Sequence, residues 1–315
     1  MSLTQVPEKA PKQAVERPAE RRRGMTDNRF SSTMFLLPIV AIFLVLFLIP
    51  LLQSVYFSFT DYNTLSGESN FIGLDNYVTI FTDASLLSGL GFTLLYAIST
   101  TVVTTALAVP LAVVLNKRFF GRTVARSLFF FVGVPSLAVL GLIWQYVFSP
   151  IGSGALNAVL GSFGVEPIPW LADATLARFC VIFVAVWAQV GWHATLYLAY
   201  LQTISVDLYE QASLDGAGNR SQFWHITLPE LVPAIVVSTF LLLTNGLKVF
   251  DLPYAMTHGG PGFSTNTITQ SIIVRGLSQS DYGLGSALAV LFTLGCVLVV
   301  LLQMAVANSA TRRFS

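Results

Sequence analysis

The chain has 315 residues, of which 54% are hydrophobic and only 10% are charged, and its formal net charge is +1. Soluble domains carry about 25% charged residues, so this chain lacks the groups that cover a water-facing surface. The near-zero net charge gives no electrostatic basis for binding a nucleic acid. The composition therefore excludes a soluble globular protein and indicates a single bundle embedded in a lipid bilayer.

The first 30 residues differ from the rest of the chain. Three prolines lie there among Glu, Lys, Gln and Arg residues, with almost no apolar side chains. Such a segment cannot bury enough apolar surface to offset the entropy of ordering, so we expect 1–30 to be a disordered basic tail. Its run Arg21-Arg22-Arg23 fits either a topology signal or contact with anionic lipid headgroups. The remaining residues, 31–315, are expected to form one transmembrane domain.

Six apolar stretches are long enough to cross a bilayer, which requires about 20 residues of helix. They cover roughly residues 34–59, 91–116, 127–149, 177–203, 231–250 and 285–307. The first is too long for the apolar region of a cleavable signal and has no small-residue cleavage site at its end, which favours a retained helix. The sequence therefore predicts an all-α integral membrane protein with six transmembrane helices.

Lysine and arginine residues lie almost entirely on one side of these spans. That side comprises both termini and the second and fourth connections, and its basic residues are Lys9, Lys12, Arg17, Arg21, Arg22, Arg23, Arg29, Lys117, Arg118, Arg122, Arg126, Arg220, Arg312 and Arg313. The opposite side has only Arg275 in its loops, with Arg178 and Lys248 near helix ends. By the positive-inside rule, both termini are cytoplasmic.

The fourth connection, 204–230, is a cytoplasmic loop with a distinct pattern. Asp207 followed three residues later by Glu210 is a capping-box pattern, which predicts the start of a short helix. Gly216 and Gly218 predict its end, because glycine readily adopts the left-handed conformation that terminates helices. We therefore expect a short helix followed by a glycine turn.

A second short helix is predicted after that turn. Asn219 with Gln222 repeats the capping pattern, and Pro229 marks the entry to the next span, since a proline fits the first turn of a helix. The apolar residues that the two helices would expose are Leu208, Tyr209, Leu214, Phe223 and Trp224. Such a patch fits either a docking site for another protein or an amphipathic segment on the membrane surface.

The same loop carries a long, spaced motif. Its residues are Glu210, Ala212, Asp215, Gly216, Ala217, Ile226, Leu228 and Pro229, in the order Glu-x-Ala-x-x-Asp-Gly-Ala, eight residues, Ile-x-Leu-Pro. This motif resembles the signature of permease subunits of binding-protein-dependent ABC importers, with Gln211 where an alanine is usual. The resemblance implies that the loop is the coupling element that inserts into a cleft on an ATPase subunit.

Three further stretches are similar to the carbohydrate branch of that family, which contains maltose-type and glycerol-3-phosphate-type permeases. They are Phe71-Ile72-Gly73-Leu74-Asp75-Asn76-Tyr77, Lys248-Val249-Phe250-Asp251 and Met256-Thr257-x-Gly259-Gly260-Pro261. The resemblance runs from about residue 33 to the C-terminus and implies the type I ABC importer permease fold. It also implies partners in a bacterial or archaeal inner membrane: a second, related permease, two ATPase subunits and an extracytoplasmic solute-binding protein.

The chain lacks residues for ATP hydrolysis and for ion coupling. No Gly-x-x-x-x-Gly-Lys-Ser/Thr phosphate cradle exists, so we expect no cofactor on this chain and assign ATP and Mg to the partner ATPase. His193, His225 and His258 fall on a helix, a cytoplasmic loop and an outward loop, which disfavours a metal site. No Asp or Glu lies in the middle of a span, which disfavours the main alternative, an ion-coupled secondary carrier.

The resemblance also implies a transport path, lined by the helices before and after the coupling loop. The residues it assigns there are Trp187, Gln189 and Trp192 before the loop, and Leu242, Asn245, Gly246 and Val249 after it. Amides donate to and accept from hydroxyls, so Gln189 and Asn245, with the aromatic face of Trp192, suit a neutral sugar. The alternative role is helix–helix packing. No arginine lies deep in a span, which favours a neutral sugar over a glycerol-3-phosphate-like solute.

Overall fold

The computed structural model describes the backbone of residues 34, 36–151 and 154–314, and side chains as far as residue 306. The predicted tail, 1–30, lies outside the described residues. The chain divides into two compact units, Met1–Leu52 and Gln53–Ser315. In the described part, the regular elements are helices, and the extended pairings are isolated bridges, Thr60–Phe71 and Asn63–Asp281.

Helix α1 covers Leu36–Phe57 and has a mean hydropathy of 2.7. It contains a π-helical turn at Leu44–Leu48. From residue 36 to 52 every side chain is exposed within the described part of the chain. A helix that is apolar all round needs a nonpolar environment, which for a 22-residue helix is the hydrocarbon core of a bilayer.

Four more helices are long and apolar enough to cross a membrane. They are α3 (Ala84–Asn116), α7 (Ala174–Leu201), α9 (Asn219–Leu247) and α12 (Tyr282–Phe314, with its apolar span to Val306). With α1, these five helices confirm five of the six predicted spans by length and composition. Both α3 and α7 begin at an aspartate N-cap, Asp83 and Asp173, whose carboxylate accepts hydrogen bonds from two backbone N–H groups.

The predicted span 127–149 is not one helix. It consists of the end of α4 (Arg122–Phe131) and all of α5 (Leu137–Val147), separated by a turn. Pro135 in this turn has no N–H and restricts the residue before it, and the Ser136 hydroxyl accepts a hydrogen bond from the Val139 N–H to begin α5. The prediction of a single helix was wrong because apolar composition continues unbroken through the turn.

The long helices pack closely through small residues. A Cβ on Gly191 of α7 would collide with the backbone carbonyl of Phe129 in α4, and one on Gly246 of α9 would lie 2.9 Å from the Cα of Ala97 in α3. Alanines at the crossings of α3, α7 and α9 are fully or almost fully buried; they include Ala97, Ala108, Ala112, Ala194 and Ala234. Small residues at these positions let the backbones approach each other, as expected for helices packed within a membrane.

Short helices form the remaining connections. They are α2 (Asp75–Thr82), α6 (Ala155–Ser162), α8 (Val206–Leu214), α10 (Asp251–Thr257) and α11 (Ile268–Ile273, continued by a π-helical turn, Val274–Ser278). Buried amides fix the outward loops: the Asn76 side chain donates to the carbonyls of Ser58 and Thr60 at 3.0 and 2.9 Å. The Trp170 Nε1–H donates to Asn157 Oδ1 at 3.0 Å.

Candidate functional site

In the loop 204–230, α8 begins two residues earlier than the capping pattern predicts. The Ser205 hydroxyl accepts a hydrogen bond from the Asp207 N–H at 3.2 Å, so Ser205 is the N-cap and Asp207 lies in the first turn. The helix ends at Leu214, with Asp215 as its C-cap. Gly216 follows with φ +81°, which is the left-handed conformation that its position predicted.

The second predicted short helix is not separate from the fifth span. Gly218, rather than Asn219, is its N-cap, and the helix continues through a π-helical turn, Phe223–Thr227, into α9. Pro229 fits because it lies in the first turn of the α-helical part that begins at Leu228. Gln222 does not close a capping box. Its Nε2 instead donates to the Ser213 hydroxyl and to the Ala217 carbonyl, at 2.9 and 3.1 Å, and ties α9 to α8.

The apolar surface of the loop is smaller than predicted. Leu214 and Trp224 are 89% and 55% exposed, and Leu208 is also exposed. Tyr209 and Phe223 are only partly exposed. The Tyr209 hydroxyl lies 3.1 Å from the Thr227 hydroxyl, and the Phe223 ring packs edge-to-face with Trp224. Two of the five predicted patch residues therefore hold the loop together.

The motif residues divide by exposure. Glu210, Asp215 and Gly216 are exposed, whereas Ala212, Ala217, Ile226, Leu228 and Pro229 are partly buried. Within the described residues, neither the Glu210 nor the Asp215 carboxylate has a hydrogen-bond or ion-pair partner in the fold. Two unpaired carboxylates beside exposed apolar side chains form a surface suited to a partner that supplies donors and an apolar pocket.

A cavity of about 810 Å³ lies among α3, the α4–α5 turn, α7 and the outer end of α9. Its walls contain five of the residues predicted for the transport path, namely Gln189, Trp192, Asn245, Gly246 and Val249. The Gln189 Nε2 donates to the Ala185 carbonyl of its own helix at 3.1 Å, which leaves Oε1 for other partners. The Asn245 amide is exposed and makes no hydrogen bond within the described part of the chain.

Trp187 and Leu242 are placed elsewhere. The Trp187 ring packs edge-to-face against Trp144 at 5.2 Å and borders an apolar groove on another face of α7. Side chains two positions apart on an α-helix point about 200° apart around its axis, so Trp187 and Gln189 cannot share a face. Leu242 is 1% exposed and is a packing residue.

Several cavity residues were not predicted from the sequence. Tyr96 reaches the cavity from α3, His193 from α7, and Lys248 and Asp251 from the break between α9 and α10. The His193 Nδ1 lies 2.7 Å from the Ser238 hydroxyl of α9. His193 follows Gln189 by four residues and so shares its helix face, which is the one sequence signal that could have identified it. The charged wall groups are one ammonium and one carboxylate.

The described residues contain no group of three or more His, Cys, Asp and Glu side chains that could hold a metal ion. Residues of α7 and α9 line part of the cavity, and the loop 204–230 connects these two helices.

Residues 104–312 match the family described as the inner membrane component of binding-protein-dependent transport systems. The chain belongs to this family. The permease is 33% identical over 284 residues to the probable ABC transporter permease protein YurN of Bacillus subtilis (strain 168). The alignment covers 89% of this chain and 97% of that relative. The permease is also 30% identical over 271 residues to the probable starch degradation products transport system permease protein AmyD of Thermoanaerobacterium thermosulfurigenes, covering 86% and 91%.

The fold of the permease matches a chain in the crystal structure of a bacterial ABC transporter involved in the import of the acidic polysaccharide alginate. The TM-score is 0.78 over 91% of this chain and 96% of that chain, at 23% identity. This likeness confirms the predicted type I permease fold. The permease is therefore a multi-pass membrane protein and a transport subunit, as its motifs predicted.

Proposed function

We propose that this permease forms the translocation path for a neutral sugar or oligosaccharide in an ATP-driven importer. The observation that carries the proposal is the cavity that gathers Gln189, Trp192 and Asn245 on α7 and α9, the helices that flank the coupling loop. An indole face and two amides match the C–H faces and hydroxyls of a sugar. The names of relatives, including a starch-degradation-products permease and a multiple sugar-binding transport permease from Streptococcus mutans, support a carbohydrate substrate.

Energy is supplied by a partner in this proposal. A separate ATPase, which binds ATP and Mg, docks on the exposed carboxylates and apolar side chains of the loop around Glu210 and Leu214. Two such subunits, a second related permease and an extracytoplasmic solute-binding protein complete the importer. The complex lies in a bacterial or archaeal inner membrane, with both permease termini in the cytoplasm, which the distribution of basic residues supports.

A second candidate substrate is an anionic solute of the glycerol-3-phosphate type. Lys248 favours it, because an ammonium group on the cavity wall attracts an anion. Asp251 lies on the same wall with the opposite charge, so the two groups together favour a neutral solute.

The test is uptake by the complete importer reconstituted in proteoliposomes with enclosed ATP and sugar-loaded binding protein. We expect labelled maltose, trehalose or another neutral oligosaccharide to accumulate, and we expect no ATP hydrolysis by the purified permease alone. Accumulation of glycerol-3-phosphate in place of every neutral sugar would select the second candidate. ATP turnover by the pure single chain would contradict the assignment of hydrolysis to a partner.

A further inference from the structure

His193 occupies an unusual position in the wall of the cavity. It lines the cavity although its side chain is only 4% exposed. Its Nδ1 is held at 2.7 Å by the Ser238 hydroxyl, which is itself fully buried in α9. The imidazole is therefore oriented by a contact between the two helices that flank the coupling loop.

The second ring nitrogen, Nε2, has no hydrogen-bond partner among the described residues. Among the described residues, Nε2 of His193 makes no hydrogen bond, yet it keeps accessible surface and is not one of the buried orphan atoms. A polar atom inside a buried side chain is rarely left unpaired, because its desolvation is not compensated. His193 lines the cavity, which gives its imidazole a space in which a bound molecule could pair with Nε2.

Two aromatic side chains line the same cavity as His193. The Trp192 ring meets the imidazole edge-to-face, with ring centroids 4.7 Å apart. Tyr96 also lines the cavity, is 2% exposed, and its hydroxyl has no hydrogen-bond partner in the described part of the chain. An aromatic ring and two unpaired hydrogen-bonding atoms on the wall of one cavity suit a ligand that carries a ring and several hydroxyls.

We propose that His193 is a specificity-determining residue, whose Nε2 hydrogen-bonds to a hydroxyl of the sugar while Ser238 positions the imidazole and the Tyr96 hydroxyl binds a second sugar hydroxyl. The proposal rests on the sugar-permease function proposed above. If the Ser238 hydroxyl donates to Nδ1, the proton of the neutral imidazole lies on Nε2, which is then a donor. If the hydroxyl accepts from Nδ1–H, Nε2 is an acceptor. A sugar hydroxyl fits both cases, since it donates and accepts.

The competing role for His193 is structural, in which only its link to Ser238 matters. Two substitutions separate the roles. The amide of His193→Asn reaches about as far as Nδ1, so it can keep the link to Ser238 but not the cavity contact. The amide of His193→Gln reaches about as far as Nε2, so it can keep the cavity contact but not the link.

The experiment measures initial uptake of the transported sugar by the reconstituted importer, with assembly of each variant checked by size-exclusion chromatography. We expect His193→Gln to stay within about two-fold of the unmodified importer and His193→Asn to fall about five-fold, the change that one net hydrogen bond produces. Ser238→Ala, which frees the imidazole, is expected to fall less than His193→Asn. The reverse order of the Asn and Gln variants, or equal activity in both, overturns the proposal.

A second measurement uses the importer without substitutions, so it tests the proposal even if a variant fails to assemble. Diethyl pyrocarbonate modifies accessible imidazole nitrogens, and we expect it to modify His193 in the sugar-free complex and to be blocked by saturating transported sugar. Modification that sugar does not reduce overturns the proposal. If the unmodified importer takes up no sugar at all, the proposed function fails first, so the two failures are distinguishable.

Discussion

The Nη2 atom of Arg275 lies 2.7 Å from Oδ2 of Asp83, although 192 residues separate them. Asp83 is the N-cap of α3, and Arg275 lies in the π-helical turn that ends α11. The pair therefore fastens the last outward loop to the start of the second span. Its side chains are 30% and 27% exposed, so solvent screens the attraction and the contribution to stability is modest.

We expect Asp83→Asn to lower the free energy of unfolding by no more than about 1 kcal/mol, the range for exposed ion pairs. Asparagine still caps a helix, so the substitution removes the charge and keeps the cap. Asp173→Asn is the matched control, because Asp173 caps α7 in the same way and has no ion pair within the described residues. Equal losses in the two variants, measured by thermal unfolding of the solubilised permease, would contradict a role for Arg275.

The Asp83 carboxylate should also make the stability of the fold depend on pH. The pKa of Asp83 is lowered, first by a hydrogen bond from the Ser85 hydroxyl, with the Ser85 N–H and Arg275 adding to it against partial desolvation. A folded-state pKa below the unfolded value of about 4 stabilises the fold above that value, and the contribution is lost as the pH falls through the folded pKa. The stability difference between the permease and Asp83→Asn should therefore be constant near neutral pH and vanish in acid. A difference that grows on acidification would contradict this.

Gly191 is expected to tolerate no side chain. Gly191→Ala places a Cβ against the carbonyl of Phe129, so the α4–α7 contact must open, at a cost of about 1–3 kcal/mol for overpacking. Gly91→Ala is the control, since a Cβ there meets nothing within 4 Å and alanine favours the helix. Thermal unfolding should show a loss for the first variant and none for the second.

The two glycines of the loop 204–230, whose coupling role is proposed above, are expected to differ in their tolerance of substitution. Gly216 has φ +81°, and a Cβ at this position would meet no atom of the described residues within 4 Å, so Gly216→Leu strains the backbone although its Cβ has room. Gly218 has an ordinary extended backbone and open space, so Gly218→Ala should retain uptake. We expect Gly216→Leu and Glu210→Ala to abolish ATP-dependent uptake while membrane insertion is normal. Near-normal uptake by both would contradict the docking role of the loop.

The cavity predicts which α7 tryptophan matters for transport. Trp192→Ala and Gln189→Ala should each lower sugar uptake several-fold, since one lost stacking face or amide contact costs about 1 kcal/mol. Trp187→Phe should leave uptake near normal, because Trp187 borders a different groove. Assembly of the importer, followed by co-purification of its subunits, is the control. Failure of the Trp192 and Gln189 variants to assemble would assign these side chains to packing.

The sequence predicted most of the helical framework, because five spans combine length with continuous apolar character. The sequence did not predict the break at Gly133 and Pro135. Span prediction rests on the mean hydropathy of a long window, and this mean changes little when one residue is a proline, which lacks the N–H that a helix needs. The sequence also placed the start of α8 at Asp207 rather than Ser205, because both are good N-caps and only the backbone geometry decides between them.

The transport-path residues were predicted by counting along the helices from the loop motif. Helical periodicity explains which of them line the cavity and which do not. Gln189 and Trp192 share the cavity, whereas Trp187 lies around the helix from them. Tyr96 was missed because it comes from α3, almost 100 residues away, and no spacing rule in a single sequence connects the two helices.

The continuity of α9 has a mechanical consequence. A helix of 29 residues is about 40 Å long, and this one begins in the loop 204–230 at Asn219 and ends at Leu247, beside the cavity. For a rigid rod of this length, a tilt of about 10° about one end displaces the other end by about 7 Å. Because Asn245 lies near the far end of α9, a rotation of the loop end would shift this part of the cavity wall by a similar distance, provided that the helix turns as one body through its π-helical turn and Pro233.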